Sequence, residues 1–113
     1  MSERDAAELA AALDRIKSQA ATGLLRVTQH AQQEMVAEEI SLDEVLQAIE
    51  RGKILEHYPE HRRGPCCLLG GLSDAGRPLH VVCTTAQPLL VLVTIYQPKP
   101  PKWITPRTRR KQP

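Results

Sequence analysis

The chain has 113 residues, of which 42% are hydrophobic and 25% are charged, and this length and composition are typical of one globular domain rather than two. No apolar run approaches the roughly 18 residues that a membrane-spanning helix needs, and the first residues are acidic and alanine-rich where a signal peptide would be basic and then apolar. We therefore expect a cytoplasmic protein that has no membrane partner.

Charge is divided unevenly along the chain. Residues 1–60 contain six basic and twelve acidic side chains, a net charge of −6, whereas residues 61–113 contain nine basic side chains and one acid, a net charge of +8. A basic half of this kind attracts a phosphate backbone, which makes nucleic acid a candidate partner. The alternative is a solvated tail that only increases solubility.

Two helices are predicted before residue 40. Ser2 is placed to cap the first helix and Gly23 to end it, and the residues between them show an amphipathic spacing. After a short segment at 24–27, Thr28 is placed to cap a second helix that runs through about Glu39. The segment 1–27 is therefore predicted to be an N-terminal helical extension.

The third helix has the clearest start signal in the sequence. Ser41 and Glu44 have the spacing of a capping box, in which each residue accepts a hydrogen bond from the backbone N–H of the other. The helix should run to Arg51, with Gly52 as a left-handed terminator.

From residue 53 the hydrophobic pattern becomes that of extended strands. Short connections between them predict an antiparallel meander with the helices packed on one face. The predicted fold class is α+β, in the order α-α-α-β-β-β-β, with one domain at 28–104 and a basic, disordered tail at 105–113. The predicted strands are 53–58, 66–71, 79–84 and 89–96.

The last two strands contain unusual polar residues beside the longest apolar run of the chain. Since alternate residues of a strand share a face, His80 lies with Thr84 on one strand, and Thr94 lies with Tyr96 on the other. These four side chains form one polar set if the register of the hairpin places the two faces together.

A series of residues in fixed order between about positions 28 and 110 resembles the family catalogued as domain of unknown function 4258. That family is similar in fold to the barnase, colicin and RelE nucleases, which include RelE-like and MqsR-like toxins. The series is His30-Ala31, Met35, Ile40-Ser41, Glu44-Val45, Gly52, Tyr58-Pro59, Leu68 to Gly70, Gly76 to Val82, Thr94 to Tyr96, Pro98 and Trp103.

The resemblance implies an RNase-type toxin of a toxin–antitoxin pair. Its partners would be RNA and a cognate antitoxin protein, of the zinc-finger kind that is often encoded beside family members or of the helix-turn-helix kind. One departure is that many members carry arginines where this chain has Glu34 and Glu38. A phosphate-binding role for the second helix is therefore not expected.

Metal-free RNA cleavage needs a base, an acid and cations that stabilise the charged phosphorane. A histidine such as His80 titrates near neutral pH and suits either proton-transfer role, and His30 is a second candidate. Arg77 is a candidate to hold the scissile phosphate and Tyr96 to donate a proton or stack on a base. The predicted RNA-binding residues are Lys102, Trp103, Arg107, Arg109, Arg110 and Lys111.

Each of these residues also has a structural explanation. A strand histidine is often a satisfied core residue, Arg77 could pair with a carboxylate of the acidic helices, and Trp103 could anchor the tail. The second hypothesis is accordingly a non-catalytic module that binds a protein or RNA through the same face of the sheet. Glu34 and Glu38 favour it, because they place negative charge where an RNA-cleaving relative would be positive.

The histidines and cysteines at 57–67 invite a zinc interpretation, but their spacing argues against it. Cys66 and Cys67 are adjacent in a predicted strand and therefore point to opposite faces, and His57 and His61 have no second matching C-x-x-C or H-x-x-x-H pair beside them. We predict no metal site and no cofactor.

Overall fold

The computed structural model describes residues 2–99 together with the backbone of two short segments, 103–105 and 108–109. Three helices precede most of the strands, as the sequence predicts. In chain order the elements are α1 (Glu3–Ala21), β1 (Leu25–Val27), α2 (Gln29–Glu38), α3 (Leu42–Arg51), β2 (Lys53–Tyr58), β3 (Cys66–Leu72), β4 (Pro78–Thr84), β5 (Leu90–Tyr96), β6 (Trp103–Thr105) and β7 (Thr108–Arg109).

The helix starts follow the predicted capping signals. The Ser2 side chain accepts a hydrogen bond from the backbone of α1, and that of Thr28 accepts one from Ala31 N–H at 3.1 Å. Both halves of the capping box of α3 are present, with Ser41 Oγ and the Glu44 carboxylate each 3.1 Å from the other residue's backbone nitrogen. These contacts satisfy backbone donors that have no partner inside the helix.

The prediction that Gly52 is a left-handed terminator is wrong. Its φ is −80°, and the chain passes from α3 directly into extended backbone. Glycine is needed there because of close packing: a Cβ at position 52 would lie 2.8 Å from Ala48 O and 2.3 Å from Leu69 Cδ2. A left-handed residue ends α2 instead, where Glu39 has a φ of 55°.

The sheet has five strands and mixed direction, so the predicted four-stranded antiparallel sheet is incorrect in detail. The strand order is β1-β5-β4-β3-β2, and the additional strand β1 pairs with β5 in parallel. The physical reason is that the segment after α1 lies along the free edge of β5, where Leu90 N–H donates to Leu24 O at 2.9 Å. The other pairs are antiparallel, as expected from their short connections.

The core lies between one face of this sheet and the helices. Alternate residues of β3, β4 and β5 point into it, including Leu69, Val81 and Ile95, each with no exposed surface. Helices α1 and α3 contribute Ile16 and Ile49 to the same cluster. The predicted arrangement of helices on one face of the sheet is therefore confirmed.

The C-terminal region is described only in part. Strands β6 and β7 pair with each other antiparallel; β6 spans the predicted end of the domain at residue 104, and β7 lies within the predicted tail. The other residues from 100 onward lie outside the described residues. Within the described part of the chain, no helix combines the length and the hydrophobicity required to cross a bilayer.

Candidate functional site

The face of the sheet opposite the helices carries all four residues of the predicted polar set. The register between neighbouring strands decides which residues lie on this face, since alternate residues of a strand point to opposite sides. His80 pairs with Tyr96 on β5 and with Gly70 on β3, and Gly70 pairs with Lys53 on β2. We call this the helix-free face, and it comprises Arg26, Lys53, Glu56, Tyr58, Cys66, Leu68, Gly70, His80, Val82, Thr84, Val91, Thr94 and Tyr96.

His80 and Tyr96 contact each other at the centre of one row. The His80 Nδ1 atom lies 3.2 Å from the Tyr96 hydroxyl oxygen, and the two rings meet edge to face with centroids 5.3 Å apart. Thr94 lies in the neighbouring row, opposite Val82. The hairpin register thus brings together the polar residues that the sequence predicts to share a face.

A glycine makes room for the His80 ring. A Cβ on Gly70 would lie 3.4 Å from His80 Cδ2 and 2.7 Å from Leu55 Cδ1, so the imidazole and Leu55 converge on the space above this strand. Leu55 is the extra residue where the register of β2 against β3 shifts between Ile54 and Glu56. A β-bulge of this kind redirects a side chain, and His80 is left only 1% exposed.

Three further polar residues of this face are missing from the sequence-based site. Lys53 is exposed, lies in the same row as His80, and its ammonium group forms no ion pair with the described residues. Glu56 and Tyr58 lie in successive rows of the same face, and the Tyr58 hydroxyl donates a hydrogen bond to the Glu56 carboxylate. Strand alternation alone could not place them, because the bulge in β2 changes the face on which the later residues lie.

Arg77 lies on the opposite side of the sheet from His80. Its Nη2 and Nη1 donate to the last carbonyls of α2, Glu38 O at 2.5 Å and Glu39 O at 2.9 Å, and Nε donates to Gln97 Oε1 at 2.9 Å. The same guanidinium lies 3.5 Å from the carboxylate of Glu44. Arg77 therefore joins the end of α2 to the start of α3, and the structure does not bring it to the His80–Tyr96 pair.

Glu44 connects this cluster to the capping box. The hydrogen bond from Ser41 N–H is the largest cause that lowers the pKa of the Glu44 carboxyl below its ordinary value. Burial opposes it, and the charge of Arg77 lowers the pKa further. Glu44 is accordingly held ionised between a helix start and a guanidinium.

His30 is also apart from the pair. Its side chain is exposed at the start of α2, where Nε2 lies 3.4 Å from Glu34 Oε1. That helix begins beside Val93, because Thr28 Oγ1 donates to Val93 O at 3.1 Å. The structure therefore gives His30 a local partner on its own helix.

A family model described as "Domain of unknown function (DUF4258)" matches residues 27–97. The chain belongs to this family. The match extends from the end of β1 to the end of β5, so that it contains both His80 and Tyr96 and leaves α1 outside. No curated protein and no solved structure gives a significant match.

Within the DUF4258 domain, Glu34 and Glu38 have a structural role. Among the described residues, no strand pairs with the edge of β5 beyond the end of β1, and α2 lies along that edge. The Glu34 carboxylate accepts from Ile95 N–H at 2.9 Å, and the Glu38 carboxylate accepts from Gln97 N–H at 3.3 Å. The two carboxylates thus satisfy edge-strand donors that would otherwise be open to pairing with another chain.

The cysteines of the DUF4258 domain are buried thiols. Cys66 lies on the helix-free face, where burial raises the pKa of its thiol. Cys67 points to the core, so that the two adjacent cysteines lie on opposite faces as predicted, and its Sγ lies 4.0 Å from Cys83 Sγ. This contact and burial raise the pKa of the Cys83 thiol. Among the described residues, no three His, Cys, Asp or Glu side chains are grouped so that they could hold a metal ion.

The predicted RNA-binding residues follow the DUF4258 domain. For Trp103 and Arg109 only the backbone strand is described, and these two residues pair across β6 and β7. The other four, Lys102, Arg107, Arg110 and Lys111, lie outside the described residues, and their role in RNA binding stays a prediction.

Proposed function

We propose that this DUF4258 protein is a metal-independent ribonuclease with its reaction centre at the His80–Tyr96 pair, and that it is the toxin of a toxin–antitoxin pair. The observation that carries the proposal is the 3.2 Å contact between His80 Nδ1 and the Tyr96 hydroxyl on the helix-free face. The protein partner would be an antitoxin of the zinc-finger or helix-turn-helix type, and the substrate would be RNA.

The chemistry requires proton transfer at two oxygens. When His80 Nδ1–H donates to the Tyr96 oxygen, Nε2 carries the lone pair and can accept the proton of a ribose 2′-hydroxyl. The 2′-oxygen then attacks the adjacent phosphorus. As the bond from phosphorus to the 5′-oxygen breaks, the imidazolium or the Tyr96 hydroxyl returns a proton to the leaving oxygen. The products are a 2′,3′-cyclic phosphate and a 5′-hydroxyl.

Lys53 supplies positive charge in this proposal, in place of Arg77. It lies two strands from His80 in the same row, a separation of about 10 Å between Cα atoms at the usual strand spacing. Gly70, the residue between them, has no side chain. The flexible ammonium stem can therefore reach across β3 toward a phosphate bound at His80, where a cation stabilises the phosphorane more than the ground state.

A second candidate function has its own supporting observation. His80 is only 1% exposed, beneath the space that it shares with Leu55. A buried imidazole with a hydroxyl partner also fits a satisfied structural residue. In that case the helix-free face belongs to a non-catalytic module that binds a protein or RNA, and His80 only shapes it.

The test is cleavage of single-stranded RNA in the presence of EDTA, with detection of cyclic-phosphate ends. His80→Ala should lower the rate roughly 100- to 10,000-fold, which is the usual contribution of a general acid or base. Tyr96→Phe should change the pH profile as well as the rate, because it removes the group that orients the imidazole. Lys53→Gln should lower kcat by roughly 100-fold, comparable to the loss of one charge-stabilising donor.

The matched control is His57→Ala, because His57 is an exposed histidine of β2 on the opposite side of the sheet, paired with Cys67. It should cleave RNA as the wild type does. If His80→Ala folds and retains full activity, the ribonuclease centre is not at His80. If the wild-type protein binds RNA or a protein partner but never cleaves, the binding-module function replaces the enzymatic one.

The toxin role is tested separately in cells. Expression of the wild-type chain alone should stop growth, and expression of His80→Ala should not. Co-expression of the small protein encoded beside it should restore growth. Growth arrest that persists with a folded His80→Ala variant would contradict toxicity by RNA cleavage at this site.

A further inference from the structure

A second feature of the helix-free face lies at its other end. A cavity of about 240 Å³ is lined by Arg26, Arg63, Thr84, Gln87 and Val91. Thr84 and His80 are four residues apart on β4, a distance of about 13 Å along a strand. The cavity is therefore separate from the His80–Tyr96 pair but opens on the same face of the sheet. We call it the arginine pocket.

The position of Arg26 in this pocket follows from the strand that the sequence analysis does not predict. In β1, Leu25 and Val27 pack against the core, so the residue between them points to the helix-free face. Arg26 is paired there with Val91 of β5. The parallel addition of β1 to the sheet thus carries a guanidinium to the wall of the pocket.

Arg63 enters from the turn between β2 and β3, and this turn is held in place. Gln87 Nε2 donates to Arg63 O at 3.3 Å, and Thr85 N–H donates to Pro65 O at 3.0 Å. Gly64 has a φ of +93°, and a Cβ there would lie 2.9 Å from Gln87 Nε2. The loops that meet at the pocket are therefore tied together without any ligand.

The two guanidiniums of the pocket have no acidic partner among the described residues, whereas three other arginines do. Arg4, Arg51 and Arg77 each lie within 4 Å of a carboxylate. None of the described residues that line the arginine pocket is acidic. Two like charges placed at one cavity repel each other, and a bound anion removes this repulsion.

The floor of the pocket adds polar groups. Thr84 is 2% exposed, and its hydroxyl oxygen accepts a hydrogen bond from Val91 N–H at 3.0 Å. No described residue accepts the proton of this hydroxyl, which leaves a donor at the pocket. Arg63 and Thr84 line the same pocket, and Cys66 is the strand neighbour of Thr84. Burial and the neighbouring Cys67 raise the pKa of the Cys66 thiol, and the positive charge of Arg63 opposes this rise.

We propose that the arginine pocket binds a phosphate group, and that in the intact complex this is a backbone phosphate of the RNA that crosses the helix-free face. Guanidiniums suit this ligand because their planar donors match phosphate oxygens. The assignment of RNA as the source of the phosphate rests on the proposed function, but the affinity of the pocket for phosphate groups does not. Because the pocket lies about 13 Å from His80, the phosphate bound there is not the phosphate that reacts at His80.

The experiment uses the full chain and two probes. The first is a 2′-O-methyl octaribonucleotide, which cannot be cleaved through its 2′-oxygen, and the second is inorganic pyrophosphate. The variants are Arg26→Gln and Arg63→Gln. The matched control is Arg62→Gln, which removes the same charge from an exposed neighbour that does not line the pocket. Affinities come from calorimetry over a series of salt concentrations, and thermal unfolding verifies the fold.

We expect each pocket variant to weaken binding of both probes about tenfold and to reduce the salt slope for the octanucleotide by about 0.7, as for one lost contact to a single strand. Arg62→Gln should change affinity less than twofold. Arg63→Lys should recover part of the affinity, since it restores charge without the planar donors.

The outcomes separate this inference from the proposed function. Equal effects of Arg62→Gln and Arg63→Gln, or unchanged binding of both probes in the pocket variants, would overturn the pocket even if the wild type cleaves RNA. Weakened pyrophosphate binding with unchanged octanucleotide binding would mean that the pocket takes a free phosphate compound, and would overturn RNA as its ligand. Weakened pyrophosphate binding in a protein that never binds RNA would support the pocket while the proposed function fails.

Discussion

Replacement of Arg77 distinguishes a structural residue from a catalytic one. Its guanidinium donates to two carbonyls at the end of α2 and to Gln97, and it pairs with Glu44, with a side chain that is 25% exposed. The sequence alone makes Arg77 a phosphate-binding candidate. The structure instead predicts that Arg77→Ala acts mainly on the free energy of unfolding.

The magnitude follows from these contacts. A hydrogen bond that involves a charged group contributes about 1.5 to 3 kcal/mol, but water can replace part of this at partly exposed carbonyls. We therefore expect Arg77→Ala to lower the free energy of unfolding by about 2 to 3 kcal/mol in total. At about 4 °C per kcal/mol for a domain of this size, Tm should fall by about 8 to 12 °C.

The assay is urea unfolding followed by circular dichroism, together with RNA cleavage measured well below Tm. Arg77→Lys is the companion variant, because it keeps the charge near Glu44 but loses the planar donors, and it should show an intermediate loss of stability. A double-mutant cycle with Glu44→Gln should give a coupling energy of about 0.5 kcal/mol or more. The reasoning is refuted if Arg77→Ala unfolds like the wild type but fails to cleave RNA.

Three further outcomes are expected. Glu44 has a lowered pKa in the folded chain, so its contribution to stability is present above the unfolded pKa of about 4.3 and is lost as pH falls through the folded pKa. The free energy of unfolding of Glu44→Gln should therefore depend less on pH below about 5 than that of the wild type. Gly71→Ala should cost more than about 2 kcal/mol in urea unfolding or prevent folding, because a Cβ at this position would lie 2.0 Å from Ala48 O. Glu34→Ala should leave Ile95 N–H without its acceptor and lower the free energy of unfolding by about 1 to 3 kcal/mol. Light scattering should then detect self-association through the exposed edge of β5. Glu34→Gln should largely prevent this association, because it keeps an acceptor oxygen.

Local signals in the sequence were sufficient where the physics is local. The capping box of Ser41 and Glu44 lies within one helical turn, and hydrogen bonds between residues three apart form whatever the rest of the chain does. Strand alternation likewise places His80 on the face opposite Leu79, because that periodicity belongs to the strand itself. The α+β class and the position of the helices on one face follow from such patterns.

Long-range register was beyond the sequence, and it decides the candidate site. The bulge at Leu55 places Glu56 and Tyr58 on the helix-free face, and the Leu55 side chain packs over Gly70 of β3. The strand that contains Arg26 exists because three residues add to the edge of β5, where a segment so short has too little periodicity to be recognised. Both features depend on contacts between distant parts of the chain.

The roles of the charged residues show the same division. Judged by residue type alone, Arg77 is a candidate phosphate ligand, and Glu34 and Glu38 disfavour phosphate binding by the second helix. In the folded chain Arg77 is held by helix carbonyls, and the two glutamates bind the free N–H groups of an edge strand. Composition determined how much charge the chain has. Only the tertiary structure determined which charges are neutralised by partners and which, like Arg26 and Arg63, remain available on the surface. The reason is that folding alone brings charged residues from distant parts of the chain together.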